Sequence, residues 1–210
     1  MARKTTISKE MILETALKML IRDGYQSVNI KTLAAELGCS TQPIAWHFEN
    51  MDEMRRELAV FAEKYAENGI ATETVNATKT FENMGRAYVH MAIYEPNLFK
   101  FLYLGERPIS KPFTADSLSK VSNSHELISG IAAQTGLSEA QAASCIRNIV
   151  IYSHGLATMI ATGVLKLDEN EAMQMISEAA NSFSGKNNYD KSSGDDAGTS
   201  SDGHHTRDMV

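Results

Sequence analysis

Apolar residues recur at intervals of three and four along nearly the whole chain, and no stretch alternates with the two-residue period of a half-buried strand. This pattern predicts an all-α protein of about nine helices. The first four helices are closely spaced, and residues typical of helix termini bound them. We expect one after Ser8 that stops before Gly24, one from Asn29 to Gly38, one from Ser40 to Phe48, and one that begins at Asn50.

The remaining pattern predicts a larger helical body. Two capping boxes mark helix starts there, Ser138 with Gln141 and Asp168 with Glu171. The final segment is polar and low in complexity, which predicts a disordered tail. We expect helices over 75–94, 96–101, 115–135 (with a break possible at 122–124), 138–163 and 168–183, and a proline-containing loop over 105–114.

Three parts follow from this organisation. Residues 1–50 form a head of three short helices, 51–184 form the helical body, and 185–210 form the tail. The most apolar run, 149–165, is interrupted by serine, histidine, glycine and threonine, so it predicts a buried helix and not a membrane span.

Charge and cysteine content change this picture only slightly. The net charge is −6, but residues 1–60 hold eight basic and eight acidic side chains, so the body and tail carry the whole excess. A neutral head with a basic N-terminus permits contact with phosphate without requiring it. Cys39 and Cys145 lie far apart and lack metal-ligand spacing, which predicts packed free thiols in a reducing, cytoplasmic setting.

The lengths of the first three helices, with a glycine-containing turn between the second and the third, are typical of a helix-turn-helix. The third helix of such a unit lies in the major groove of DNA and is held by its neighbours. Ile44 and Phe48 would anchor it, and Pro43 falls in the first turn, where its missing N–H costs little.

A series of short motifs connects this head to a known family. They occur in order at Ile12 and Ala16, Gly24-Tyr25, Leu33-Ala34, Gly38-Cys39-Ser40, Ile44-Ala45-Trp46-His47-Phe48 and Asn50-Met51-Asp52-Glu53-Met54. With this spacing, residues 12–54 resemble the DNA-binding head of the TetR (tetracycline repressor) family of bacterial repressors. The resemblance implies a transcriptional regulator, with a repressor as the expected form, that a small-molecule inducer releases from a palindromic operator.

Two positions depart from the family's pattern. Ala45 stands where the family has a tyrosine that contacts a backbone phosphate, and Met51 stands where it has a lysine. Each difference removes a donor to DNA and weakens the salt-dependent part of the affinity. The alternative they raise is a ligand-binding helical dimer whose head no longer binds specific DNA.

The chemistry of the side chains suggests how the head would meet DNA. The Gln42 amide can pair with adenine, and Thr41 can meet a base or a thymine methyl. Lys31 and His47 are expected at phosphates, with a backbone hydrogen bond as the alternative for His47, and packing against the fourth helix as the alternative for Trp46. The expected DNA-contacting set is Arg3, Lys4, Lys31, Thr32, Ser40, Thr41, Gln42, Trp46 and His47.

The body concentrates methionine and aromatic residues in the region where the family encloses its inducer. Such side chains suit an apolar or aromatic small molecule, although ordinary core is the alternative for each of them. The expected ligand-binding residues are Tyr88, Met91, Phe99, Tyr103, Tyr152, His154 and Met159.

The last two predicted helices are apolar on more than one face, so part of that surface should meet a second subunit. The family's dimer interface is formed by the same two helices, and a twofold dimer supplies two heads for a palindrome. The expected interface residues are Ile149, Leu156, Ile160, Met173, Ile176 and Ala180.

Catalysis and cofactors have no support in the sequence. Ser153 with His154, and His125 with Glu126, are adjacent in the chain and therefore point in different directions on a helix. We find no nucleophile elbow, phosphate-binding loop or metal-ligand spacing. The sequence predicts a protein that is not an enzyme and that needs no metal or cofactor.

Overall fold

The fold is known from a computed structural model that describes residues 7–68, 76–105 and 124–185. Within those ranges all regular structure is helical, with nine α-helices and one 3-10 turn at Tyr25–Ser27, which confirms the expected all-α class. The helices are α1 Lys9–Asp23, α2 Ile30–Glu36, α3 Gln42–His47, α4 Met51–Asn68, α5 Ala77–Tyr94, α6 Pro96–Tyr103, α7 His125–Thr135, α8 Glu139–Ala161 and α9 Glu169–Phe183.

Most helix starts agree with the capping residues that the sequence indicates. Ser8 accepts from the Met11 N–H at 3.2 Å, and Asn29 accepts from two N–H groups of α2. Both expected capping boxes are present, at the starts of α8 and α9. These caps satisfy N–H groups that a helix leaves unpaired in its first turn.

Three helix ends differ from expectation. Ser40 does not begin α3, because the chain turns at Gly38 (φ +63°) and the Cys39 N–H bonds back to Ala34, so the helix starts only at Gln42. α6 continues two residues beyond Phe101, to Tyr103. α8 ends at Ala161, since Gly163 adopts a positive φ of 76° and closes the helix early.

The head and the first part of the body share one hydrophobic core. Ile12, Leu20 and Leu33 from α1 and α2 are fully buried in the same cluster as Phe99 and Phe101 from α6. A side-chain hydrogen bond of 3.1 Å from Asn97 in α6 to the Ile21 carbonyl in α1 joins the same elements. The orientation of the head therefore depends on α6 as well as on its own helices.

The rest of the body packs around α8. One cluster joins α5 through Val89 to Leu156 of α8 and Ile176 of α9. A second joins α7 to α5 and α8, and there Gly130 permits close approach, because a Cβ at this position would lie 2.6 Å from the Ala77 side chain. α5, α7 and α9 thus all pack against α8.

Some expected features lie outside the described residues. These are the loop at 105–114 beyond Gly105, the part of the expected helix before Ser124, the tail after Gly185, and the basic residues Arg3 and Lys4.

Loss of the cap on α9 has a measurable cost. Asp168 accepts from the backbone N–H of Asn170 and Glu171 at 2.8 and 2.9 Å. Asp168→Ala should lower the free energy of unfolding by about 0.5–2 kcal/mol, measured by urea unfolding. Asn170 lies two residues further along the chain and is exposed, so Asn170→Ala is the matched control. This change should alter the free energy of unfolding by less than about 0.5 kcal/mol. Equal effects of the two changes would contradict a capping role.

Candidate nucleic-acid interface

α3 is a six-residue helix that is held in place from one side. Ile44 and Phe48 are 1% and 4% exposed and belong to the head's core. The Lys9 ammonium lies 5.0 Å from the centre of the Phe48 ring, which adds a contact from α1. A helix this short is marginal alone, so packing and not propensity maintains it.

The other side of α3 is open to solvent. Thr41, Gln42, Ala45 and Trp46 are all exposed, and their spacing places them on one face. The Trp46 indole is 74% exposed, so it does not pack against the start of α4 as the alternative required. Within the part of the chain that the structure describes, the Thr41 hydroxyl makes no capping bond and the Gln42 amide has no protein partner.

Two of the expected DNA-contacting side chains already have partners inside the chain. His47 Nε2 lies 2.8 Å from the Ile7 carbonyl, which must accept, so this ring ties the end of α3 to the segment before α1. The Thr32 hydroxyl donates to the Ser27 carbonyl at 2.6 Å and also accepts from the Asn29 N–H. Both residues stabilise the turn geometry of the head, whatever else they contact.

Two cations of the head, Lys9 and Arg22, are paired with neighbouring carboxylates. Lys9 is 2.5 Å from Glu57, and Arg22 bridges Asp23 and Glu36 at 2.8 and 2.9 Å. The hydrogen bond from Arg22 also lowers the pKa of the Glu36 carboxyl below its ordinary value. Exposed pairs of this kind contribute little stability, but they reduce the positive charge available to phosphate.

Lys31 differs from those cations. It lies in the first turn of α2, is exposed, and forms no ion pair within residues 7–68, 76–105 and 124–185. Ser40, in the turn between α2 and α3, is likewise exposed. The structure therefore brings Lys31, Ser40, Thr41, Gln42 and Trp46 into the α2–turn–α3 segment with their side chains accessible.

Ala45 and Met51, the two departures from the family pattern, lie in different environments. Ala45 is exposed and contributes only a methyl group to the open face of α3. Met51, the first residue of α4, is partly buried against the head's core. At the same helix start the Asn50 side chain accepts from the Glu53 N–H at 2.9 Å, and Glu53 in turn accepts from the Glu49 N–H at 2.6 Å. Acidic side chains thus flank Met51, which stands where the family pattern has a lysine.

In the body, four of the expected ligand-binding residues meet in one aromatic cluster. The Tyr88 ring lies 5.0 Å from Phe99, 4.8 Å from Tyr103 and 6.2 Å from His154, measured between ring centres. The Tyr88 hydroxyl is 2.6 Å from His154 Nδ1. Burial raises the pKa of the Tyr88 phenol and lowers the pKa of the His154 imidazole, so both partners are neutral near pH 7.

The expected ligand-binding residues do not all line a single cavity. Phe99 is completely buried and Met91 is 8% exposed, whereas Met159 is 44% exposed on the outside of α8. Tyr152 packs toward Phe183 of α9, with ring centres 6.5 Å apart. These residues were chosen for their apolar side chains, and that property does not distinguish residues of the packed core from residues that line a cavity.

Two neighbouring clefts lie between α4 and α5. The larger, of about 530 Å³, extends to the start of α9, and the smaller, of about 130 Å³, includes Met84, Tyr88 and Tyr103. Ala66, Ala87 and Met91 line both. The larger cleft also exposes polar groups that the sequence analysis missed: Tyr65, Arg86, His90, Glu95 and Glu169.

These polar groups are paired across helices. The Tyr65 hydroxyl donates to Glu95 at 2.7 Å, which raises the pKa of Tyr65 to about 12. Arg86 donates to Glu169 at 2.9 Å, and His90 Nδ1 lies 3.1 Å from the same carboxylate. These hydrogen bonds lower the pKa of Glu169, so its carboxylate stays charged. The partners are far apart in sequence, and no local pattern indicates them.

The expected dimer residues are mostly held within the chain itself. Leu156 and Ile176 are 6% and 7% exposed and pack against each other's helices, together with Ile149, Ile160 and Met173. Ala180 is half-buried, and its carbonyl lies 4.0 Å from Cys145 Sγ. The large apolar side chains that α8 and α9 leave exposed are Ile151 (53%), Met159 (44%), Met175 (36%) and Phe183 (41%).

Sequence comparisons match the head of the chain, and structure comparisons match its overall helical fold. The family model of bacterial regulatory proteins, tetR family, matches residues 12–58. An uncharacterized HTH-type transcriptional regulator of Mycobacterium tuberculosis is 34% identical over 59 residues, which are 28% of this chain and 27% of that protein. The chain thus matches about a quarter of the length of this curated relative.

Two solved structures share the helical fold. A putative TetR-family transcriptional regulator from Vibrio parahaemolyticus has a TM-score of 0.51 at 16% identity, covering 83% of this chain and 97% of that one. Apo AibR has a TM-score of 0.52 at 15% identity, covering 80% and 96%. In the described part of the chain, no helix is long and apolar enough to span a membrane.

Proposed function

We propose that the chain is a DNA-binding transcriptional regulator of the TetR type, acting as a repressor, because residues 12–58 match the model of bacterial regulatory proteins, tetR family. In this proposal it works in the cytoplasm, without catalysis, as a homodimer on a palindromic operator. A small and largely apolar inducer releases it.

One observation carries the proposal. α3 is anchored by Ile44 and Phe48 while Thr41, Gln42 and Trp46 project together from its open side. Tryptophan is highly buried on average, so a Trp46 that is 74% accessible on this face supports contact with a partner. The dimensions of the α2–turn–α3 unit suit the major groove, where such a face can contact base edges.

A mobility-shift experiment tests the proposal. The purified full chain is mixed with duplex DNA from upstream of its own gene, over a series of salt concentrations, with a shuffled duplex as the control. We expect a sequence-specific shift whose affinity falls steeply with salt, by a slope of about 0.9 per phosphate contact on logarithmic axes. Equal, weak binding of both duplexes would contradict specific recognition.

Lys31 is the proposed phosphate contact of α2. Lys31→Ala should weaken binding to specific and shuffled DNA alike and should reduce the salt slope by about 1, because one phosphate contact is lost. Lys166→Ala, which removes an exposed lysine from the body, is the control and should leave both values unchanged. A loss confined to the specific duplex would instead assign Lys31 to a base contact.

We propose that a second copy of the chain covers the exposed apolar face of α8 and α9. Ile151 and Met159 lie two turns apart on α8 with the exposed Gly155 between them, and Phe183 of α9 lies beside Tyr152. A face of this kind lets two helix pairs approach closely and bury apolar side chains.

Ile151→Asp tests this interface. The buried charge should convert the dimer to monomers in sedimentation at micromolar concentration and should weaken binding to a two-half-site operator. Val60→Asp changes a similarly exposed apolar residue on α4 (52%) and should leave the dimer intact. An Ile151→Asp variant that stays dimeric would place the interface elsewhere.

The proposed inducer site is the pair of clefts between α4 and α5. Tyr88 and Tyr103 join the aromatic cluster to the smaller cleft, and Met91 lines both. α4 starts beside α3 and packs on α1 and α6, so a ligand that displaces α4 would also move the head. An inducer that binds more tightly to the displaced form of α4 would favour that form and so release the DNA.

A second candidate function is a ligand-binding dimer whose head no longer binds specific DNA. Ala45 and the acidic start of α4 favour it, since both positions lack phosphate donors. The double variant Ala45→Tyr with Met51→Lys distinguishes the two. Strong binding that appears only in this variant would support the second candidate, and a modest change from an already specific parent would support the regulator.

A further inference from the structure

We infer that the head recognises A·T base pairs at the positions beneath α3 and that it lacks the means to select guanine there. This inference rests on the proposed DNA-binding function and adds the class of sequence that the operator must contain. It follows from which groups occupy the open face of α3 and which groups are missing from it.

The open face of α3 holds one group able to make a bidentate base contact. The Gln42 amide is exposed, and within the described residues it has no protein partner. A glutamine amide pairs with the N6 and N7 of adenine in the major groove. The Thr41 hydroxyl and the Trp46 indole N–H are single groups that reach either purine, so they discriminate little.

The face has no cation for guanine. Bidentate contact with guanine O6 and N7 normally comes from arginine or lysine. No lysine or arginine occurs between Lys31, on α2, and Arg55, on α4. Arg55 is itself held by Asp52 at 3.3 Å, and its guanidinium lies 5.6 Å from the centre of the Tyr25 ring.

His47 does not replace the missing cation. Its Nε2 is committed to the Ile7 carbonyl at 2.8 Å, so the ring has at most one nitrogen left for a base. Bidentate contact with guanine O6 and N7, which are both acceptors, needs two donors.

The remaining exposed groups are apolar and suit thymine. Ala45 contributes a methyl group, and Trp46 contributes most of an indole that is 74% exposed. The C5 methyl of thymine is the apolar feature of the major-groove edge. A G·C pair at the same position offers these side chains no methyl group, because cytosine carries only hydrogen at C5.

Selection from a random duplex library tests the inference on the full chain. We expect the bound fraction to carry A·T pairs at the positions beneath α3, and each change of such a pair to G·C should lower the affinity about 5- to 150-fold. A consensus with guanine or cytosine at those positions would overturn the inference and leave the regulator proposal standing. Absence of any enriched sequence would overturn both.

Gln42→Arg provides a change of specificity. The variant should shift the preference at one base pair from adenine to guanine by about 10-fold or more, because the guanidinium supplies the missing bidentate donor. Gln26→Arg adds the same charge at another exposed glutamine of the head and should raise affinity without altering preference. An unchanged base preference in Gln42→Arg would overturn the assignment.

Deoxyuridine tests the thymine methyl contact. Replacing thymine by deoxyuridine beneath α3 removes the methyl group and keeps the base pairing. The parent protein should lose affinity about 5-fold or more on that duplex, and Trp46→Ala should lose less. Equal affinity of the parent for both duplexes would overturn the apolar contact.

Discussion

Trp46→Ala should lower the affinity for a specific operator about 5- to 150-fold and leave the stability of the protein unchanged. The indole is 74% exposed and makes no contribution to the buried core of the head. Its loss therefore affects folding by less than about 0.5 kcal/mol, whereas one lost base contact costs about 1–3 kcal/mol in binding.

The matched control is Tyr94→Ala. Tyr94 is an aromatic residue that is 61% exposed on α5 in the body, away from α3 in the chain. Its replacement should leave operator affinity unchanged, as measured by fluorescence anisotropy of labelled DNA. If Trp46→Ala binds as tightly as the parent, the open face of α3 does not contact DNA.

Phe99→Ala should lower the free energy of unfolding by about 3–5 kcal/mol. Phe99 is completely buried where the core of the head continues into α6, and its ring lies 5.0 Å from Tyr88 and 5.2 Å from Tyr103. Removing the ring leaves a cavity at the junction of head and body. The loss is a large part of the total stability of a typical domain.

Urea unfolding followed by circular dichroism measures this effect. Tyr94→Ala serves again as control, now with a loss below about 1 kcal/mol, because among the aromatic residues that the structure describes its ring contacts only His90, at 4.5 Å. A Phe99→Ala variant with a near-normal unfolding midpoint would mean that the ring lines a ligand cavity and not a packed core.

Helix positions were predictable because their signals are local. Asn29 and Asp168 each occupy a position where the side chain reaches the N–H groups two or three residues further on. Such a contact depends on neighbours in sequence alone. The start of α3 was mistaken because Gly38 and Cys39 extend the turn, which delays the helix to Gln42.

Contacts between distant residues could not be predicted in this way. Tyr65 with Glu95, and Arg86 with Glu169, are separated by 30 and 83 residues. Their pairing depends on how α4, α5 and α9 pack, which periodicity does not specify. The polar wall of the larger cleft was missed for that reason.

The apolar faces of α8 and α9 show a related difficulty. The sequence pattern predicts that the main stripe, with Leu156 and Ile176, lies at the subunit interface, but these side chains are buried in the chain's own core. Ile151 and Met159 lie out of phase with that stripe and are the exposed ones. In the proposed dimer, the residues outside the main stripe are the ones left available to a second subunit, since one helix pair can bury only one face internally.

The most direct test of a DNA-reading head uses Trp46, the only tryptophan in the chain. Its fluorescence should be titrated with duplex DNA from upstream of the protein's own gene and with a shuffled duplex, at several salt concentrations. Quenching by the specific duplex at much lower concentration than by the shuffled one, with a steep salt dependence, is the predicted result. Emission that neither duplex changes, even at low salt, would contradict a head that places α3 against DNA bases.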